Sequence, residues 1–140
     1  MTRVAVIGLG YIGLPTATVL ALRGFDVLGV DVSQRVVDTL KQGKIHIVEP
    51  DLDISVAAAI QSGALQVSTK PTPADVFIIA VPTPFKDGHK PDLSYVEAAS
   101  LAIAPHLVPG NLVILESTSP VGTTQKVSEW LAGARSELKL

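Results

Sequence analysis

The 140-residue chain contains no cysteine. Within these residues that excludes a disulfide framework, a thiolate metal site and any chemistry that runs through a sulfur nucleophile. Aromatic residues are few, and the single tryptophan, Trp130, reads as core. Charge is nearly balanced, with 11 Lys and Arg against 13 Asp and Glu, a formal net charge of −2. There is therefore no basic footprint for a nucleic acid. No stretch approaches the ~20 uninterrupted apolar residues of a membrane span. Met1-Thr2-Arg3 runs straight into a strand pattern, so no signal peptide is expected. The three histidines, His46, His89 and His106, are far apart without ligand spacing, so no metal site is expected. At 47% hydrophobic and 17% charged the chain reads as one globular domain with a real core, and a cytoplasmic location is expected.

Strand and helix patterns alternate along the whole length. This predicts an α/β fold: a Rossmann-like, doubly wound parallel sheet in three αβα layers. The strands are expected at Arg3–Ile7, Asp26–Val30, Leu65–Ser68, Asp75–Val81 and Asn111–Leu115. Helices are expected at Leu14–Arg23, from a Ser33 cap to Gln42, at Asp51–Gln61, and after a capping box at Ser94-Tyr95-Val96-Glu97. A last helix should start at Ser119-Pro120 and bury Val127, Trp130, Leu131 and Ala134. Lys44–Pro50 and Pro82–Asp92 read as loops.

The first unit carries the chemistry. Gly8-Leu9-Gly10-Tyr11-Ile12-Gly13 follows the first strand and opens the first helix, and the second strand ends in Asp31. Strand, G-x-G-x-x-G, helix, strand and acid make a dinucleotide-binding βαβ unit. Gly8 allows the tight turn, Gly10 lets the backbone approach a pyrophosphate, and Gly13 allows close helix packing. The first helical turn offers free N–H groups and the positive end of the dipole to an anion. Asp31 is placed to accept the ribose hydroxyls of adenosine. Against the 2′-phosphate of NADP it would repel, by about 1 kcal/mol in water and about 4 at a surface-like dielectric for charges ~4 Å apart. NAD is therefore the expected cofactor. Arg35, four residues on, leaves NADP open, since an arginine nearby can accommodate that phosphate, but it reads first as covering the adenine face or as solvated.

Ligands of open α/β sheets bind outside the carboxyl ends of the strands. Two more strand ends there carry hydroxyls: Val81-Pro82-Thr83-Pro84-Phe85, and Glu116-Ser117-Thr118-Ser119-Pro120-Val121-Gly122-Thr123. Thr83 and Thr118 can hydrogen-bond a ribose, an amide or a water. Ser119 reads as a helix cap, and Glu116 alone proves no base.

These strings, with Leu14-Pro15 after the glycine run, resemble the nucleotide-sugar dehydrogenases of the UDP-glucose/GDP-mannose dehydrogenase family. Gly43-Lys44-Ile45-His46-Ile47-Val48-Glu49-Pro50-Asp51-Leu52 resembles its UDP-N-acetyl-D-mannosamine dehydrogenase branch, which points to polysaccharide biosynthesis. The resemblance implies oxidation of a sugar C6 alcohol to a carboxylate with two NAD. It places Tyr11 and Ile12 along the pyrophosphate, Asp31 on the adenosine ribose, Arg35 near the adenine and Thr83 beside the cofactor. Thr118 would stand near the nicotinamide, holding a catalytic water. The family's nucleophile is a cysteine, which captures the aldehyde, and this chain has none. That cysteine, its helper residues and most sugar contacts belong to later segments, after a central dimerisation region, so a homo-oligomeric parent enzyme is implied. Residues 1–134 match the cofactor domain, and 135–140 read as a truncated tail leading towards a further strand. Two other readings stay open: a hydroxy-acid dehydrogenase of the 6-phosphogluconate type, and a free-standing, non-catalytic NAD-binding module.

Overall fold

The computed structural model describes residues 2–138. Five parallel strands form one sheet: β1 (Arg3–Ile7), β2 (Asp26–Val30), β3 (Leu65–Ser68), β4 (Val76–Ile79) and, after a small hairpin, β7 (Leu112–Leu115). Their order is β3-β2-β1-β4-β7, so the first strand lies in the middle and the connections run outwards in both directions from it. The register is unbroken, with Val4 beside Val27 on one side and Val76 on the other. Parallel neighbours need long crossovers. α1 (Gly13–Leu22) leads from β1 to β2, α2 (Gln34–Lys41) and α3 (Leu52–Ser62) from β2 to β3, and α4 (Ser94–Ile103) from β4 to β7, while α5 (Thr123–Ala134) follows β7.

Period-two alternation along the strands divides the interior into two cores. Val4 and Val6 of β1 join Val27, Leu65 and Val67 beneath α1, α2 and α3, which contribute Leu14, Val37, Leu40 and Val56. Ala5 and Ile7 point the other way. With Leu28, Val30, Phe77 and Ile79 they meet Val96 and Ile103 of α4 and Val127 and Leu131 of α5. Because both faces are covered, the central strands are continuous apolar runs rather than alternating ones. Among the described strands of this five-stranded sheet, β7 alone shows large apolar side chains to solvent, with Leu112 54% and Ile114 39% exposed.

Several local expectations are corrected. The Pro82–Asp92 segment is not loop throughout: β5 (Phe85–Lys86) and β6 (Lys90–Pro91) pair antiparallel. The capping box at Ser94 does not form. Leu93 holds the cap position without a side-chain bond, and Asp92 Oδ1 instead accepts the Ser94 N–H at 2.9 Å. Ser119-Pro120 does not start α5. The chain first turns there, Thr123 donating through both N–H and Oγ1 to the Pro120 carbonyl, and Gly122 at φ 90° is the cap. Ala134 is exposed, and Trp130 packs half-buried against the second core. Of the expected tail, Arg135 donates to the carbonyls of Ala104 and Leu107, while Lys139 and Leu140 lie outside the described residues. No helix among the described residues is long and apolar enough to cross a membrane.

Candidate dinucleotide site at the carboxyl edge of the sheet

β1 ends in a turn whose geometry explains its three glycines differently. Gly8 sits at φ 100°, and its N–H donates to the Val30 carbonyl at 2.7 Å. A Cβ on Gly8 would stand 2.7 Å from the Ala80 carbonyl oxygen. A Cβ on Gly13 would stand 1.7 Å from the Gly8 oxygen, so the start of α1 presses directly on the turn. Gly10 is the exception, with nothing within 4 Å of the place a Cβ would take. The fold needs the first and third glycines, whereas the middle one leaves open a cradle that the chain itself does not fill. No side chain caps α1, and no acid occupies its first turn. Within α1 the N–H groups of Leu14 and Thr16 already donate to the carbonyls of Gly10 and Ile12, and Pro15 has none. What faces an anion here is therefore the helix dipole and the N–H groups of the turn that leads into Gly13. Tyr11 and Ile12 are exposed beside it.

Asp31 follows β2 at the same edge. Its N–H donates to the Ser68 carbonyl, which fixes the backbone to β3. Its Oδ2 accepts the Leu9 N–H at 3.1 Å and its Oδ1 accepts the Ser33 N–H at 3.0 Å. A carboxylate has about four lone-pair sites, so both oxygens keep capacity for ribose hydroxyls. Ser33 caps α2 as its sequence predicts, accepting the Val36 N–H at 3.3 Å.

The opposite wall comes from the ends of β4 and β7. The N–H groups of Glu116 and Ser117 both donate to the Ile79 carbonyl. The Ser117 hydroxyl donates to the Val81 carbonyl at 2.8 Å. The Thr83 hydroxyl donates to the Thr118 carbonyl, tying the two loops together, and the Thr118 side chain is exposed at the rim. Glu116 is engaged away from the cavity, accepting the Thr16 hydroxyl of α1 at 2.5 Å.

Two cavities meet at this edge. One, of about 450 Å³, runs from the glycine turn past Asp31, Val36 and His46 to Thr83, Ser117 and Thr118. The other, of about 240 Å³, is apolar and lined by Val32, Tyr95, Ala98 and Ala102. They share Gly8, Asp31, Val81 and Pro82. A long ligand with an apolar end, a charged middle and a polar end fits such a path. The structure brings Gly8, Gly10, Tyr11, Ile12, Asp31, Thr83 and Thr118 to these walls. Gly13 builds the turn from behind. Arg35 is not brought in: it is exposed on α2, between Val32 of one cavity and Val36 of the other. His46 is the residue that sequence reasoning missed. Ligand spacing was the wrong signal for it. Its neighbours Ile45 and Ile47 pack on the first core and hold it there.

Residues 2–140 match the family model described as the UDP-glucose/GDP-mannose dehydrogenase family, NAD binding domain. The chain belongs to this family. An NDP-N-acetyl-D-galactosaminuronic acid dehydrogenase from Ralstonia nicotianae is 62% identical over 135 residues, covering 96% of this chain and 32% of the relative. A UDP-N-acetyl-D-mannosamine dehydrogenase from Campylobacter jejuni is 61% identical over 137 residues, 97% of this chain and 34% of the relative. Among solved structures, a UDP-D-ManNAc dehydrogenase from Pyrococcus horikoshii superposes with a TM-score of 0.93 at 42% identity, covering 99% of this chain and 33% of that one. The chain thus spans about a third of the length of the relatives it matches, and its cofactor is NAD. The expected Rossmann-like fold and the family resemblance are both borne out.

Proposed function

We propose that this chain is the cofactor domain of an NAD-dependent nucleotide-sugar 6-dehydrogenase, oxidising the C6 alcohol of UDP-N-acetylmannosamine or a related UDP-sugar to a uronic acid. The observation that carries the site is the open cradle at Gly10, between two glycines that the fold itself closes. In this reading the amides of Gly10, Tyr11 and Ile12 hold the pyrophosphate. Asp31 accepts both adenosine ribose hydroxyls. The apolar cavity at Tyr95 and Ala98 takes the adenine, with Arg35 long enough to fold over it from α2. Thr83 stands beside the cofactor, and the Thr118 hydroxyl orients a water near the nicotinamide. When bound, NAD supplies the hydride acceptor. The covalent steps belong to the rest of the enzyme, since these residues contain no cysteine. We place that enzyme in the cytoplasm as a homo-oligomer.

The test compares the 140 residues with a protein that also carries the remaining two thirds of the relatives' length. The longer protein should form two NADH per UDP-N-acetylmannosamine. A nucleotide-linked N-acetylgalactosamine is the competing substrate to try, because one relative is named for N-acetyl-D-galactosaminuronic acid and another for UDP-N-acetyl-D-mannosamine. The 140 residues alone should bind NAD and form no NADH. Sustained turnover by the short chain would refute the assignment of the chemistry to the missing part. NAD binding with no turnover by the longer protein would favour the non-catalytic module.

A further inference from the structure

His46 lies in the segment between α2 and α3, and the local structure explains how it is aimed. α2 ends in a Schellman turn: the Gly43 N–H donates to the Leu40 carbonyl and the Lys44 N–H to the Thr39 carbonyl. Gly43 takes φ 75° there, with the Ala57 side chain of α3 within contact distance of a Cβ position. The chain leaves this turn pointing at the cofactor edge. Ile45 and Ile47 are pinned to the first core on either side. Between them the imidazole of His46 crosses to the glycine turn, where its Nε2 lies 2.6 Å from the Leu9 carbonyl oxygen.

A carbonyl only accepts, so Nε2 carries the hydrogen and donates. Leu9 is then held at three points. Its N–H is taken by Asp31, its carbonyl by His46, and its side chain is wholly buried over Gly29. The next residue is Gly10, whose amide and open cradle face the pyrophosphate in the reading above. The other ring nitrogen, Nδ1, is buried and has no hydrogen-bond partner among the described residues. A buried acceptor left unsatisfied is a cost that a native fold rarely carries without reason. Here it accompanies the one side chain that grips the carbonyl of the glycine turn.

We propose that His46 is a positioning residue of the NAD site, fixing the Leu9–Gly10 peptide in its binding conformation before the cofactor arrives. The inference rests on the reading of Gly10 as the pyrophosphate cradle. Calorimetric titration of NAD into the 140-residue chain and three variants tests it, with thermal unfolding of each ligand-free protein alongside. His46→Ala should weaken NAD binding about tenfold, the scale of one well-placed hydrogen bond. A glutamine amide nitrogen falls near the position of Nε2, and an asparagine nitrogen near that of Nδ1. His46→Gln should therefore restore most of the affinity while His46→Asn stays as weak as His46→Ala. Amide exchange at Leu9 should be faster in His46→Ala than in the ligand-free wild type. Unchanged affinity in a folded His46→Ala would overturn the inference alone. Equal losses in all three variants, tracking their melting temperatures, would overturn it in favour of general packing. A wild-type chain that binds no NAD would overturn the reading of the site, and this inference with it.

Discussion

Alanine at Gly10 and alanine at Gly13 should separate binding from folding, although the two glycines belong to one six-residue motif. At Gly13 the new methyl would stand 1.7 Å from the Gly8 oxygen, well inside the 3.0 Å that such contacts do not breach. The obstacle is backbone, and the Ala80 side chain at 3.2 Å blocks a retreat to the side. Overpacking of a filled site costs about 1–3 kcal/mol, occasionally more, and this clash belongs at the upper end. For a domain of this size each kcal/mol moves the melting temperature by about 2–4 °C. Gly13→Ala should therefore melt about 6–12 °C lower, from ~3 kcal/mol lost. At Gly10 the methyl meets no atom within 4 Å, and the backbone is outside the left-handed region. Glycine to alanine at such a position stabilises by about 0.4–1 kcal/mol through the unfolded chain. Gly10→Ala should thus melt at the wild-type temperature or slightly above it. Its NAD affinity should nevertheless fall at least about tenfold, about 1.4 kcal/mol, and Gly10→Val should abolish binding. Differential scanning calorimetry and NAD titration read the two effects independently. A folded Gly10→Val that binds NAD normally would refute the assignment of the phosphate site. A Gly13→Ala as stable as the wild type would refute the account of the turn.

The chain should bind NAD more tightly than NADP, and Asp31→Ala should narrow that gap. The same variant should also lose about 1–3 kcal/mol of stability, because the N–H groups of Leu9 and Ser33 lose their acceptor. Titration of both cofactors together with a denaturant curve checks this, and an undiminished preference for NAD would count against Asp31. At the start of α4, hydrogen bonds from Ser94 hold the Asp92 carboxyl below the ordinary carboxylate range. A lowered folded pKa means a contribution that is present above the unfolded value and lost as pH falls through the folded one. Acid should therefore loosen the first turn of α4, seen as lower protection of the Ser94 amide relative to its intrinsic exchange rate at the same pH. Asp92→Ala should show that low protection at every pH, and a variant whose protection is as pH-dependent as the wild type's would sink the idea.

What the sequence made legible followed from backbone requirements. Gly8, Gly13 and the acid at Asp31 announce one geometry, because few other residues satisfy it, and the apolar runs at Val4–Ile7 and Phe77–Ile79 announce strands buried on both faces. Choices between near-equivalent partners were not legible. Asp92 and Ser94 both offer an oxygen near the same helix end, and only the path of the preceding hairpin decides that Asp92 reaches the N–H. Ser119-Pro120 has the composition of a helix start, yet the chain needs one more turn to leave β7 before α5 can lie on the second core. His46 was hidden because its partner is a carbonyl 37 residues away. Backbone acceptors leave no mark in a sequence, so no side-chain pattern announces such a bond. Arg35 is exposed on α2, in keeping with the solvated alternative that its sequence position allows.

The strand order also sets a sequence of events in time. β1 is synthesised first and sits centrally, so its neighbours on the two sides appear on different schedules. The glycine turn and its acid are complete by Asp31, but the opposite wall ends at Thr118. Thr16 and Glu116, which join the two ends of this span, are 100 positions apart. Pairings of that separation are slow to form. A growing chain therefore carries the floor of the pocket long before it carries the pocket. NAD stabilises only what binds it, so the cofactor acts on the finished domain and gives little support to the half-made one.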